Sequence, residues 1–306
     1  MTFLLLVSLA AGGGCGPDDL PPGILPGQLV SYEPTKSTST TATTSSSTPT
    51  TSTSLTPLEP APSTLSSVLV ESQPLKFSTQ ELETVKAALR QVPLPFLQHV
   101  QIRRARQDAV QPDFIAGLAT QLSDGTRTRI TFFDLTFATF PSGSELYPAP
   151  PYSTLEATRL TAQHIVIHEF THNFQFTRGT PAVDSSVDFL NNTPLTQDWA
   201  SQFGWTVKPD KNWAFDRSRC AERPTSYAIS FHPIEDQAES VALVFGDLPR
   251  LRAASDPRAT FAVQRFGVTP PATPAVTVPP DRVRFGPECP PDVATKAARR
   301  TFCRVE

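Results

Sequence analysis

The pentapeptide His168-Glu169-Phe170-Thr171-His172 decides the fold that we expect for this chain. In an α-helix, residues at i and i+4 leave the same face about one turn apart. Both imidazoles can therefore bind one zinc ion, which takes nitrogen ligands at about 2.0–2.1 Å. Glu169 follows the first histidine directly, so its carboxylate can act as a general base towards a zinc-bound water. The pattern predicts a catalytic zinc helix that supplies two ligands and one base.

The sequence around this motif predicts a long helix. Ser153 or Thr154 is suited to the N-cap, and Gly179 with Pro181 ends the helical pattern after Thr177. A set of apolar residues recurs at helical spacing and predicts a flank that packs against a sheet, namely Leu160, Ile167, Phe170 and Phe174. The histidines at 164, 168 and 172 lie along the other side.

A catalytic zinc ion needs a third protein ligand and an open position for water. One class of zinc helix adds a glycine and a third histidine downstream, but Gln175 and Arg178 occupy those positions here. That class also needs a methionine-bearing turn, and Met1 is the only methionine of the chain. The third ligand is therefore expected on a second helix.

The segment 233–245 has the features of that second helix. Pro233 opens it, acidic residues occupy its first turn, and an apolar body follows. Glu235 and Glu239 share one face, and buried carboxylates need partners. We expect Glu235 to bind zinc and Glu239 to accept the free N–H of a ligating histidine. The alternative is a solvated first turn whose acids favour the helix dipole.

HExxH followed by a helix with two glutamates four residues apart resembles the gluzincin metallopeptidases, and most closely the catalytic domain of the anthrax lethal factor group. In that group a Thr-Ser-Tyr segment precedes the third-ligand glutamate, as Thr225-Ser226-Tyr227 precedes Glu235 here. The helix then continues as Glu-x-x-Ala-Glu, which matches Glu235 to Glu239. The likeness covers about residues 154–245.

By position, the resemblance implies that His168, His172 and Glu235 bind one zinc ion per chain and that Glu169 is the general base. It also implies a zincin-like α+β domain that hydrolyses peptide bonds in a peptide or protein substrate. Glu169 would take a proton from the attacking water and pass it to the leaving amine.

Two side chains are candidates for stabilising the developing oxyanion. The resemblance implies this role for Tyr227, although its spacing to Glu235 is one residue longer than in lethal factor. His232 is the alternative, and it would otherwise lie at the rim of the site or in an exposed loop. An exposed edge strand would let an extended peptide bind by strand addition.

The remaining domain is predicted to supply a helix and a sheet. Residues 78–92 form the helix, opened by a capping box at Ser78 and Glu81. Residues 100–103 and 127–137 are the predicted strands. The tryptophans between the two ligand segments are interpreted as packing residues, with a role in walling the cleft as the alternative: Trp199, Trp205 and Trp213.

The chain divides into four predicted regions. Residues 1–15 resemble the signal peptide of a bacterial lipoprotein, because a short apolar run and small residues precede Cys15, which would carry lipid. Residues 16–66 are rich in Ser, Thr and Pro and predict a flexible tether. Residues 67–267 form the metallopeptidase domain, and 268–306 form a Pro-rich linker and a cysteine-containing tail.

These regions predict a secreted or cell-envelope protein that contacts a membrane only through lipid on Cys15. The cysteines at 220, 289 and 303 would then be in an oxidising compartment. Cys289 and Cys303 are the preferred pair, with Cys220 free, although three cysteines permit other pairings.

Composition bears on the partners of the protein. The net charge is −3 and no basic stripe is present in the sequence, which argues against a nucleic-acid partner. We expect a monomeric enzyme. The rival interpretations are a catalytically inactive zincin-like surface-binding module and a structural envelope lipoprotein.

Overall fold

The fold of the chain is α+β. The computed structural model describes residues 5–8, 53–106, 115–122, 127–138, 154–178, 193–208, 213–225, 228 and 233–271. The strands are β1 (Leu5–Ser8), β2 (Leu55–Pro57), β3 (Val68–Glu71), β4 (Val100–Arg104), β5 (Ile115–Gln121), β6 (Thr128–Phe132), β7 (Trp205–Val207) and β8 (Trp213–Phe215). The helices are α1 (Thr79–Leu89), α2 (Thr154–Arg178), α3 (Pro194–Phe203), α4 (Pro233–Gly246) and α5 (Leu248–Phe266).

Six strands form a mixed sheet in the order β1-β5-β6-β4-β3-β2. The three central neighbours β3, β4 and β6 are parallel, whereas β5 runs antiparallel to β6. The outer strands β1 and β2 pair antiparallel with β5 and β3. β7 and β8 form a separate two-stranded sheet. Among the described strands, the antiparallel strand β5 has the most extensive contact with the ligand-bearing helix α2, and β6 also contacts that helix.

Several predicted elements are confirmed. α1 begins with the predicted capping box, in which Ser78 accepts from the Glu81 amide and Glu81 accepts from the Ser78 amide. The predicted strand at 100–103 is β4, and both ligand segments are helical as expected. The strand predicted over 127–137 is shorter, because β6 ends at Phe132 and a 3₁₀ helix follows at Asp134–Phe137.

The apolar flank of α2 lies in the core. Ile167, Phe170 and Phe174 are buried, and the Phe174 ring stacks on Phe96 with centroids 4.6 Å apart. This packing fixes the rotation of α2 about its axis. The opposite flank, with its histidines, therefore faces α4, with which α2 is in extensive contact.

The folded part of the chain begins before residue 67. The sequence predicts a tether for 16–66, but β2 pairs with β3 and a 3₁₀ helix covers Thr64–Ser67. Leu58 and Leu65 are buried in the core, which explains why this Pro-rich stretch is ordered. Residues 5–8, inside the predicted leader, form β1. Cys15, Cys289 and Cys303 lie outside the described residues, so the lipidation and pairing predictions stay predictions.

Candidate metal centre

α2 and α4 bring three predicted ligands together. His168 Nε2 lies 3.0 Å from Glu235 Oε2, and His172 Nε2 lies 3.5 Å from the same oxygen. The two Nε2 atoms are 3.0 Å apart. All three side chains are buried, and their ligand atoms lie within 4.8 Å of one another. This group can hold a metal ion.

The outer nitrogen of each histidine faces an acceptor. His168 Nδ1 lies 2.8 Å from a carboxylate oxygen of Glu239, and His172 Nδ1 lies 2.7 Å from the amide oxygen of Gln175. Both acceptors require N–H on Nδ1. In the neutral imidazole the proton is then absent from Nε2. Two Nε2 lone pairs and a carboxylate oxygen therefore converge on one point.

The donor set fits a zinc ion. Ligands at about 2.0–2.1 Å in tetrahedral geometry lie roughly 3.3–3.4 Å from one another. The three separations found here, between 3.0 and 3.5 Å, bracket that value. Two imidazole nitrogens and one carboxylate oxygen are also ligand types that zinc takes, and a bound cation would offset the repulsion between their lone pairs.

The charges around the ligands call for a cation. Burial by itself would lower the pKa of His168, but hydrogen bonds and charges from Glu235 and Glu239 outweigh burial and raise it to about 10. Burial by itself would raise the pKa of Glu235, yet His172 and His168 hold that pKa far below its ordinary value. Burial lowers the pKa of His172, which favours its neutral form. The site therefore takes up a proton when no metal ion is bound.

Glu169 lies beside the ligands, fully buried. Neither of its carboxylate oxygens has a hydrogen bond of good geometry with any residue in the described ranges, although the backbone N–H of Ala119 lies near enough to favour the ionised form. Burial raises the pKa of Glu169 to about 8, although the charge of His168 opposes the rise. A buried carboxylate without a partner is costly. Its position next to a ligand histidine is the one that a general base requires.

Strand β5 passes directly over Glu169. A Cβ atom on Gly117 would lie 2.4 Å from Glu169 Oε1, which is closer than any real contact. Only glycine at this position leaves the carboxylate its room. The sequence alone does not mark Gly117 as a site residue, because a lone glycine in a strand has many explanations.

Glu239 makes the contact expected of it and two others. Besides His168, it accepts from His164 Nε2 at 3.1 Å and from Thr225 Oγ1 at 2.7 Å. Burial would raise the pKa of Glu239, but the charge and hydrogen bond of His164 and the contact with His168 hold it well below its ordinary value. Glu239 is therefore an ionised acceptor. In the sequence, Thr225 stands out only as part of the segment Thr225-Ser226-Tyr227. The pattern predicts that His164 lies on the histidine-bearing side of α2 and assigns it no contact with Glu239.

Gln175 joins the two ligand-bearing helices. Its amide nitrogen donates to the Ile234 carbonyl at 3.0 Å and to Gln237 Oε1 at 2.8 Å, while its oxygen faces His172. Gln175 is buried. In the sequence it stands out only as a residue that does not fit the glycine position of another zinc-helix class.

Asp236, next to Glu235, anchors α4 on its other side. Its carboxylate accepts from the indole N–H groups of Trp199 and Trp205 at 3.0 and 2.9 Å and pairs with Arg258 at 3.2 Å. Asp236 and Arg258 are fully buried. Trp199 and Trp205 are buried, which confirms that they are packing residues, and both contact α4 through Asp236.

The other candidates lie outside the described residues: Tyr227, His232 and Cys15. None of the helices in the described ranges is long and apolar enough to cross a membrane.

Comparisons with known proteins found no relative of this chain. No family model, no curated protein and no solved structure matches the chain.

Proposed function

We propose that this protein is a zinc-dependent metallopeptidase with a zincin-like catalytic domain. The observation that carries the proposal is the convergence of His168 Nε2, His172 Nε2 and Glu235 Oε2 next to the unpartnered carboxylate of Glu169. Binding a metal would need the three converging atoms alone. A buried carboxylate beside them has a cost that binding does not explain and that proton transfer does.

In this proposal, three residues bind the metal ion and a fourth transfers a proton. A zinc ion held by His168, His172 and Glu235 would supply Lewis-acid polarisation of a carbonyl group and would acidify water. Glu169 would accept a proton from the attacking water and pass it to the leaving amine nitrogen. Burial raises the pKa of Glu169 in the metal-free site. The charge of a bound zinc ion would lower that pKa again and favour the ionised carboxylate, which is the form that a base requires.

We propose that an extended substrate would bind beside β5. This strand is antiparallel to its neighbour β6 and passes over Glu169, where Gly117 lies against the carboxylate. Its outer edge already pairs with an extended segment of the chain, since Leu5 pairs with Ala119 and Leu6 with Leu118. A substrate peptide would have to replace this segment in order to bind to the same edge through backbone hydrogen bonds.

The experiment is hydrolysis of an unstructured protein such as casein, or of a mixed peptide library, by the purified full-length protein with one equivalent of zinc. The wild-type protein should cleave its substrate, and Glu169→Gln should lower the rate by at least about 100-fold because it removes the base. Zinc content should stay unchanged in this variant, since Glu169 is not a ligand. The control is Glu83→Gln, which removes an exposed carboxylate paired with Lys86 on α1 and should leave the rate unchanged.

The outcomes distinguish the proposed function from its alternatives. Cleavage that Glu169→Gln abolishes supports the metallopeptidase. Stoichiometric zinc with no cleavage of any peptide would overturn it in favour of an inactive metal-binding module. Cleavage that persists in Glu169→Gln would remove the proposed base.

A further inference from the structure

We infer that Gln175 is the positioning residue that presents His172 to the metal, by fixing both the orientation and the tautomer of its imidazole. The inference rests on the proposed metal centre and adds a residue to it. Gln175 is not one of the three converging ligands, so its effect on the metal would be transmitted through His172.

The orientation of the Gln175 amide is set from α4. A backbone carbonyl can only accept a hydrogen bond, so the Ile234 carbonyl, 3.0 Å away, must face the Gln175 nitrogen. Gln237 Oε1 accepts from the same nitrogen at 2.8 Å. With the nitrogen held on this side, the Gln175 oxygen is directed towards His172.

This orientation determines where His172 carries its proton. The Gln175 oxygen lies 2.7 Å from His172 Nδ1 and can only accept, so Nδ1 must donate. The lone pair of the neutral ring is then on Nε2, which faces His168 and Glu235. A reversed amide would place an N–H against Nδ1 and move the proton to Nε2, where it would block the metal.

The two histidines are therefore held by acceptors of different charge. His168 donates to the ionised Glu239, whereas His172 donates to a neutral amide. Hydrogen bonds to charged acceptors are roughly twice as strong as those to neutral ones. His172 is the more weakly held ligand, and Gln175 also ties it to the residue before Glu235. One side chain thus couples a ligand on α2 to the ligand on α4.

Three variants of the full-length protein separate the two ends of Gln175. Gln175→Met keeps the length of the side chain and removes both contacts. Gln175→Glu keeps an acceptor for His172 and loses the donor to Ile234. Gln237→Met removes an acceptor of the Gln175 nitrogen and does not touch His172. The measurements are the zinc dissociation constant and the visible absorption spectrum of the cobalt-substituted protein, which reports the ligands of the metal.

We expect Gln175→Met to weaken zinc binding by about 10- to 100-fold and to alter the cobalt spectrum, as losing a hydrogen-bond partner of a ligand histidine does. Gln175→Glu and Gln237→Met should bind zinc within about threefold of the wild type or more tightly, with the wild-type spectrum.

Two results would overturn the inference. One is zinc binding by Gln175→Met that equals the wild type. The other is a Gln175→Glu variant as weak as Gln175→Met, because the side chain would then act only as a tie between helices. If Gln175→Met does not fold, the comparison of Gln175→Glu with Gln237→Met still decides. Failure of the wild-type protein to bind zinc would instead refute the proposed function.

Discussion

The Nε2 atoms of His168 and His172 face each other at 3.0 Å, while the opposite nitrogen of each ring donates to a buried acceptor. Two neutral imidazoles in this arrangement direct their lone pairs at each other, and Glu235 Oε2 adds a third acceptor. Only a proton or a cation relieves that repulsion. The three converging acceptors therefore favour a bound cation at this point.

Zinc affinity should depend on pH through His168. The pKa of about 10 means that the metal-free site holds a proton on His168 at neutral pH, and zinc must displace it. The zinc association constant should therefore rise about tenfold per pH unit from about pH 7 to 9. Calorimetry in buffers of different ionisation enthalpy counts the released protons, and an affinity independent of pH would contradict this.

The same proton should stabilise the metal-free fold. The pKa of His168 in the folded protein lies above the ordinary value of 6.5. The proton's contribution to the free energy of unfolding is therefore complete below about pH 6.5 and is lost as the pH rises through about 10. Urea unfolding of the metal-free protein should show this loss at alkaline pH. His168→Gln should show a smaller loss over the same range.

Glu169→Gln should stabilise the metal-free protein. Burial raises the folded pKa from 4.5 to about 8, so ionising this carboxyl opposes folding increasingly as the pH rises from about 4.5 to 8. The amide removes that cost, and the variant should gain about 2–4 kcal/mol near pH 8. Denaturant unfolding measures the gain, which should shrink to below about 1 kcal/mol near pH 5. Equal gains at both pH values would mean that Glu169 is not held neutral by burial.

Gly117→Ala should impair catalysis and spare metal binding. The added Cβ would collide with Glu169 Oε1, so the base must shift. A misplacement of about 1 Å costs on the order of 100-fold in rate. The control is Gly246→Ala, where nothing lies within 4 Å of the added atom. Peptide hydrolysis and zinc content are measured together, and an unchanged rate in Gly117→Ala would show that β5 does not confine the base.

Asp236→Asn should be strongly destabilising. It removes the buried charge partner of Arg258 and leaves only the partly exposed carboxylate of Glu222, 3.6 Å away. Breaking a buried pair costs about 3–5 kcal/mol. The control is Asp198→Asn, which breaks the exposed pair with Arg265 and should cost less than about 1 kcal/mol. Urea unfolding compares the two, and equal losses would contradict the role of Asp236 as the anchor of α4.

Local signals in the sequence predict the ligand-bearing helices and the first helix. The capping box of Ser78 and Glu81 determines the start of α1, and helical spacing of apolar residues defines the buried flank of α2. The spacing of Glu235 and Glu239 likewise predicts which carboxylates reach the histidines, because residues four apart share a helix face.

The parts that the sequence does not predict depend on packing between distant segments. β5 reads Ile-Ala-Gly-Leu-Ala-Thr-Gln, and its small residues hide the usual strand pattern. At Gly117 the absence of a side chain has a physical reason, because Glu169 lies against this position. The role of Gln175 depends on the Ile234 carbonyl of another helix, and no spacing along the chain reveals that contact.

The most direct test of the central claim is the zinc content of the purified, folded full-length protein, measured by elemental mass spectrometry after dialysis. Its Glu235→Ala variant is measured beside it, with Glu83→Ala as a control that changes an exposed carboxylate. We predict about one zinc ion per chain in the wild type and the control, and little in Glu235→Ala. A folded wild-type protein without zinc, or a Glu235→Ala variant that keeps it, would contradict the three-ligand site.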